Sequence, residues 1–216
     1  MKKYLLLSMC LVGLSFGMKA QTVADLLGNS YVQVTWLGID FSHVKLIGEF
    51  NQFQEAGETG PELIKSKYFP AWNELIIKES DKYNVAAMIR KENVEMNIEP
   101  IMKINAKTDI ADLEGRENPN YTEEEIREFV KKYNFGDKEG IGMLFIAESM
   151  NKTAVTARYH FVAINLSNNE VILQELFNTV PGGFGLRNYW AKSFYLVIDE
   201  IEGKKYKQWK KAAGIK

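Results

Sequence analysis

Cysteine and histidine are scarce in this chain, which has one cysteine and two histidines in 216 residues. The cysteine, Cys10, lies in the N-terminal segment described below. Beyond that segment, the composition excludes a thiol nucleophile, a cysteine-ligated zinc and a redox role. His43 and His160 are too few for a histidine-rich metal site. We therefore expect no metal and no cofactor.

An excess of charge of one sign is also lacking. The chain has 27 basic and 28 acidic residues, which gives a formal net charge of −1. Loss of the first twenty residues would remove three lysines and no acid, leaving 24 basic against 28 acidic residues, or −4. Such a balance is ordinary for a soluble protein and offers no basis for binding nucleic acid. We expect no nucleic-acid partner.

The first twenty residues have the pattern of a bacterial secretory signal. Lys2 and Lys3 precede an apolar run of about a dozen positions, and the small residue Ala20 precedes Gln21. Cleavage after Ala20 would leave a cysteine-free mature chain of 196 residues in a single domain, residues 21–216, without a transmembrane span. The pattern predicts an exported protein, periplasmic or secreted.

Two alternatives for this N-terminal segment are open. The apolar run could be an uncleaved membrane anchor, but a spanning helix needs roughly 20 apolar residues and the run is shorter. Cys10 could be the acylated residue of a lipoprotein. Met9, however, is large where such signals have Gly, Ala or Ser, so a lipid-anchored form is not expected.

Hydrophobic periodicity predicts one α/β domain. Alternation of apolar and polar residues predicts strands within 31–47, 85–89, 94–104 and 141–147. Two further runs, 155–163 and 171–180, with a turn at 166–169, predict a β-hairpin. The pattern as a whole indicates a mixed sheet of about five strands with helices packed against it, ending in a C-terminal β-hairpin followed by a long helix.

Three segments have helical spacing. Residues 61–81 carry an apolar face interrupted by Pro70. Residues 122–133 begin with Thr122 and Glu125, the pair that forms a capping box. A last helix contains Trp190 and Ile201, and Gly203 is expected to end it.

Three polar residues, Asp40, Ser42 and His43, could form a hydrolase site together with Glu49. In a strand, however, Asp40 and Ser42 share one face and His43 points away. We therefore expect no catalytic residues here. His160 is predicted on the solvated face of its hairpin strand, beside Arg158.

The glycine-rich loop before the last helix is the most suggestive local feature. Its flexible backbone could expose N–H groups beside a helix N-terminus, where anions bind. The candidate ligand-binding residues are Gly182, Gly183, Gly185, Arg187 and Asn188. The alternative is a tight strand-to-helix turn, in which Asn188 caps a helix that starts near Tyr189.

The C-terminal tail is basic and contains two aromatic residues. Six lysines follow residue 203, with Tyr206 and Trp209 among them. Such a tail could bind an anionic membrane or polymer, or its aromatic residues could dock on their own domain.

The C-terminal half resembles a known family in its order of elements. In that family the hairpin has the pattern Val/Ile-x-Leu-x-Asp, then Thr-Gly-x-Val, where this chain has Val162-Ala163-Ile164-Asn165 and Asn169-Glu170-Val171-Ile172. It is similar to the α/β domain of curli-secretion-type envelope lipoproteins and of the TolB N-terminal domain, although the Thr-Gly is missing. The resemblance implies assembly or scaffolding in the cell envelope and no enzyme activity, and no functional residue is carried over from it.

Three hypotheses follow. The first is a non-catalytic binding or assembly module of the bacterial cell envelope, whose partner is an envelope protein or an anionic surface polymer. The second is a binder of small anionic ligands through the loop at 182–188. The third is a secreted hydrolase that uses Asp40 and His43.

Overall fold

The computed structural model describes residues 21–29, 31–50 and 60–215. The predicted secretory signal lies outside these ranges. The helices are α1 (Val23–Gly28), α2 (Pro61–Leu63), α3 (Phe69–Lys78), α4 (Val85–Met88), α5 (Glu99–Lys107), α6 (Glu123–Lys131), α7 (Leu186–Glu200) and α8 (Tyr206–Ala212). The strands are β1 (Val34–Asp40), β2 (Lys45–Ile47), β3 (Glu95–Met96), β4 (Glu114–Gly115), β5 (Ile141–Asn151), β6 (Thr156–Asn165) and β7 (Glu170–Thr179).

The seven strands form one mixed sheet. Strands β1 and β2 both pair in parallel with β5, β1 along its first part and β2 along its last residues. Strand β6 is antiparallel to β5, and β7 is antiparallel to β6. The prediction of a single mixed α/β domain, with a hairpin followed by a long helix, is confirmed. The strand count exceeds the expected five because β3 and β4, of two residues each, pair at the edge.

Helices cover both faces of the sheet. On the first face, α3, α7 and α8 pack over the larger apolar core, where Trp72, Trp190 and Phe194 are fully buried. On the second face, α5 and α6 pack over a smaller core through Ile101 and Ile126. The central strands β5 and β6 are therefore buried on both sides.

Helix α6 confirms the helix predicted at 122–133. Thr122 and Glu125 form the capping box, since each side chain accepts a hydrogen bond from the other residue's backbone N–H. Ile126 and Val130 are buried, whereas Phe129 is half-buried and stacks on the ring of His43, with centroids 3.6 Å apart.

Two predicted strands are wrong, because both segments are mainly helical. Residues 85–88 form α4, whose first turn is capped by the side chain of Asn84. Within 94–104, only β3 is extended, and the rest belongs to α5. Pro100 lies in the first turn of α5, where a missing N–H costs nothing.

The helix predicted at 61–81 is present as α2 and α3, joined by a π-helical turn over Ile64–Tyr68. Its wider turn, with Phe69 N–H donating to Ile64 O, precedes Pro70, which has no N–H to donate.

The prediction that Gly203 ends the last helix is wrong. It lies in a second π-helical turn, Ile201–Lys205, through which α7 continues into α8.

The C-terminal tail docks on its own domain, since the Tyr206 hydroxyl donates to Leu27 O and Trp209 is buried against Phe161. In the described part of the chain, no helix is long and apolar enough to cross a membrane.

Candidate functional site

The glycine-rich loop connects β7 to α7 at the carboxyl edge of the sheet. Gly183 and Gly185 have φ values of 116° and 78°, which residues with a Cβ rarely adopt. Gly182 N–H donates to Tyr189 O at 2.8 Å, and the Trp72 indole donates to Arg187 O at 3.0 Å. The loop is therefore held from both ends, and helix α7 starts directly behind it.

An open cleft of about 490 Å³ lies between this loop, α7 and the turn after α3. We call it the anion cleft. It is lined by Glu79, Lys82, Tyr83, Gly182, Gly183, Arg187, Asn188, Ala191, Lys192 and Tyr195. Its α7 wall follows from helical spacing, because Asn188, Lys192 and Tyr195 recur three or four positions apart.

The charge of the anion cleft is predominantly positive. Lys82, Arg187 and Lys192 face one acid, Glu79. Arg187 Nη2 lies 3.4 Å from Glu79 Oε1, and both side chains are about half exposed, at 50% and 42%. This ion pair fixes the guanidinium at the rim while leaving it accessible to a second acceptor.

Tyr83 contributes a buried polar atom to the same cleft. Its side chain is 0% exposed, and its hydroxyl has no hydrogen-bond partner among the described residues. Burial raises the pKa of this hydroxyl, an effect that the nearby Lys82 ammonium only partly offsets. An ammonium donates and cannot accept, so the hydroxyl proton lacks an acceptor.

All five predicted ligand-binding residues lie at this loop. Gly182, Gly183, Arg187 and Asn188 line the anion cleft, and Gly185 lines a smaller cleft of about 200 Å³ on the other side of the loop. The expected role of Asn188 as helix cap is wrong, because α7 begins at Leu186 with Gly185 as its N-cap. Asn188 instead lies in the first turn, where its Oδ1 accepts from Arg187 Nε at 3.4 Å.

Comparisons with known families, curated proteins and solved structures give no match. The function is therefore inferred from the geometry of this chain.

Asp40 and His43 do not assemble a triad with Ser42. The two carboxylate oxygens of Asp40 accept hydrogen bonds from the Tyr133 hydroxyl and from Ser42 N–H. Burial lowers the pKa of His43, whose ring packs flat against Phe129. The Ser42 hydroxyl is buried and has no hydrogen-bond partner within the described ranges. Among the described residues, the serine hydroxyl therefore has no hydrogen bond to a general base.

The expectation that His160 faces solvent is wrong. It is 2% exposed, and its Nε2 lies 2.8 Å from Oε2 of the fully buried Glu148. Arg158 Nε lies 3.0 Å from the other oxygen of Glu148. We call these three residues the buried charge cluster. Asn120 covers it, donating its N–H to Glu148 and accepting from Arg158.

No local sequence signal links Lys82 or Tyr83 to the loop, because they lie about a hundred positions from it in the chain. Lys192 could have been found, since it follows Asn188 by four residues in a helix.

Among the described residues, no group of three or more His, Cys, Asp or Glu is placed to hold a metal ion.

Proposed function

We propose that this protein is a non-catalytic binding module that takes an anionic group in the anion cleft. One observation carries the proposal: Tyr83, whose buried hydroxyl has no hydrogen-bond partner in the described structure, lines a cleft where three cations face one carboxylate. A buried donor without a partner costs about 1–3 kcal/mol, a cost that a bound acceptor would remove.

The ligand class follows from the donors. Arg187 offers a planar pair of N–H groups, Lys82 and Lys192 offer ammonium groups, and the first turn of α7 offers backbone N–H groups that have no partner within the helix. Such a set suits phosphate or carboxylate oxygens. A volume of about 490 Å³ is in the range of small-molecule sites. Phosphorylated sugars and uronic acids meet both conditions.

The proposal combines two of the hypotheses drawn from the sequence. The secretory pattern of residues 1–20 supports an exported envelope protein, and the loop supports an anionic ligand or surface polymer. The hydrolase hypothesis receives less support, because Tyr133 and Ser42 already occupy the carboxylate of Asp40.

Titration calorimetry with glucose 6-phosphate and galacturonate tests the proposal. We expect Arg187→Ala to weaken binding by about 1.5–3 kcal/mol, the range for a hydrogen bond to a charged group. Arg127→Ala is the matched control, because Arg127 is also an exposed arginine paired with a glutamate, on α6 at the opposite face. Equal affinities in wild type and Arg187→Ala would contradict the proposal.

Tyr83→Phe separates binding from folding at the same site. The change removes a hydroxyl that has no partner in the described structure, so the free energy of unfolding should not fall. Ligand affinity should fall, because the ligand loses its buried donor. Unchanged affinity would remove Tyr83 from the site.

A further inference from the structure

The tip of the same loop exposes apolar side chains. Phe184 is 93% exposed, and Val180, at the end of β7, is 56% exposed. Only six large apolar side chains of the described residues are exposed, and two of them fall within this one loop. A phenylalanine in this position makes almost no contact with its own domain.

Basic side chains surround this apolar tip on both sides. Phe184 shares the smaller cleft with Lys67 and Arg187, and Arg187 also lines the anion cleft together with Lys82 and Lys192. The acid among the residues lining the two clefts is Glu79. Four cations therefore line the two clefts beside the loop that carries this exposed aromatic ring.

We propose that the loop at 180–188 docks on an anionic lipid bilayer, with Phe184 inserted among the acyl chains and a lipid phosphate in the anion cleft. This inference rests on the proposed function of the cleft and names the source of the anion.

Two observations favour a membrane over a free anion. A free sugar phosphate would fill the cleft but leave Phe184 in water, whereas a bilayer provides both an apolar phase and a negative surface. Stable peripheral binding generally combines an apolar insertion with a basic patch, and the loop presents the two together.

The loop also lies at an edge of the domain that can approach a flat surface. Strand β7 runs parallel to β1 and β5, so the loop after it projects from the carboxyl edge of the sheet. Tyr31, 95% exposed, precedes β1 and lies at the opposite edge. It provides an exposed aromatic residue outside the proposed surface.

Sedimentation with vesicles of phosphatidylcholine, with and without phosphatidylglycerol, tests the inference. We expect wild type to bind the vesicles that contain phosphatidylglycerol and to be released by added salt. Phe184→Ala should bind at least about tenfold more weakly, the ratio predicted for losing a buried phenylalanine side chain. Tyr31→Ala should bind like wild type. The first twenty residues are the same in every variant, so differences between variants report on the loop.

Affinity for a soluble sugar phosphate, measured in the same variants, distinguishes this inference from the proposed function. Phe184→Ala should keep its affinity for glucose 6-phosphate, while Arg187→Ala should lose affinity for both the sugar phosphate and the vesicles. Sugar-phosphate binding by wild type without a Phe184-dependent affinity for vesicles would overturn the membrane inference and leave the proposed function intact. If wild type bound neither, both would be overturned.

Discussion

The buried charge cluster and the anion cleft both pair an arginine with a glutamate, yet they differ in how far the pair is exposed to solvent. Completeness of hydrogen bonding does not separate them, since Arg158 Nε and His160 Nδ1 also lack a hydrogen-bond partner in the described structure. Glu148 is 0% exposed and is contacted by Arg158, His160 and the Asn120 backbone. In the anion cleft, the arginine and glutamate are about half exposed, and the Tyr83 hydroxyl lacks a partner in the described structure.

The comparison shows that residue type alone does not locate the candidate site in this protein. Glutamate, histidine and arginine are the residues of many catalytic sites, but here they hold a covering loop against two strands. The cleft that remains open is built from glycine, lysine and tyrosine. Accessible cations around an open cleft, rather than catalytic residue types, distinguish the candidate site.

Glu148→Ala should have the largest effect of the changes that sharpen this comparison. The substitution leaves Arg158 buried without its carboxylate, and breaking a buried ion pair costs about 3–5 kcal/mol. Urea denaturation measures the loss of stability. Glu79→Ala is the matched control, since it removes the exposed glutamate partner of Arg187 and should cost no more than about 1 kcal/mol. Similar losses in the two variants would contradict the distinction.

Lowering the pH should have a smaller effect on the free energy of unfolding. Burial lowers the pKa of His43, with Lys132 and Lys45 acting in the same direction and Asp40 and Asp112 opposing. The folded state therefore binds its proton less readily than the unfolded state does. Stability due to neutral His43 is complete above the unfolded pKa of about 6.5 and is lost as pH falls below it.

Urea midpoints between about pH 5.5 and 7.5 measure this dependence. Wild type should lose more stability on acidification than His43→Gln, and equal slopes would contradict the assignment. Ligand binding in the anion cleft should not share this pH dependence. Its cations are lysine and arginine, and the pKa of Tyr83 is raised. Affinity for galacturonate, which stays ionised, should be flat over the same range.

The elements that have strong local signals could be predicted correctly from the sequence alone. The capping box at Thr122 and the alternation through β5 to β7 predicted α6 and the hairpin. The strand predicted at 94–104 is wrong, because a short apolar run does not distinguish a strand from a buried helix. Pro100 is the signal that distinguishes them, since it lies in the first turn of α5.

The wrong prediction for His160 has a different cause. Alternation correctly separates the two faces of β6, placing His160 opposite Tyr159. It does not show that the second face is covered at His160, where Glu148 contacts the imidazole and Asn120 lies over both. The candidate site was found only in part for a similar reason. The glycine loop is visible locally, whereas Tyr83 reaches it through tertiary packing of α3 against α7.

The smallest effect is expected for the stability of Arg187→Ala. An ion pair between side chains that are 50% and 42% exposed is weakened by solvent and by side-chain entropy, so its loss should cost about 0–1 kcal/mol. Arg158→Ala is the matched comparison, because its side chain is 13% exposed and its removal leaves Glu148 buried with one partner fewer. Urea denaturation of the two variants should give a large loss for Arg158→Ala and almost none for Arg187→Ala. A large loss for Arg187→Ala would make this arginine part of the fold. A small loss combined with weaker ligand binding would show that it is kept accessible for a ligand.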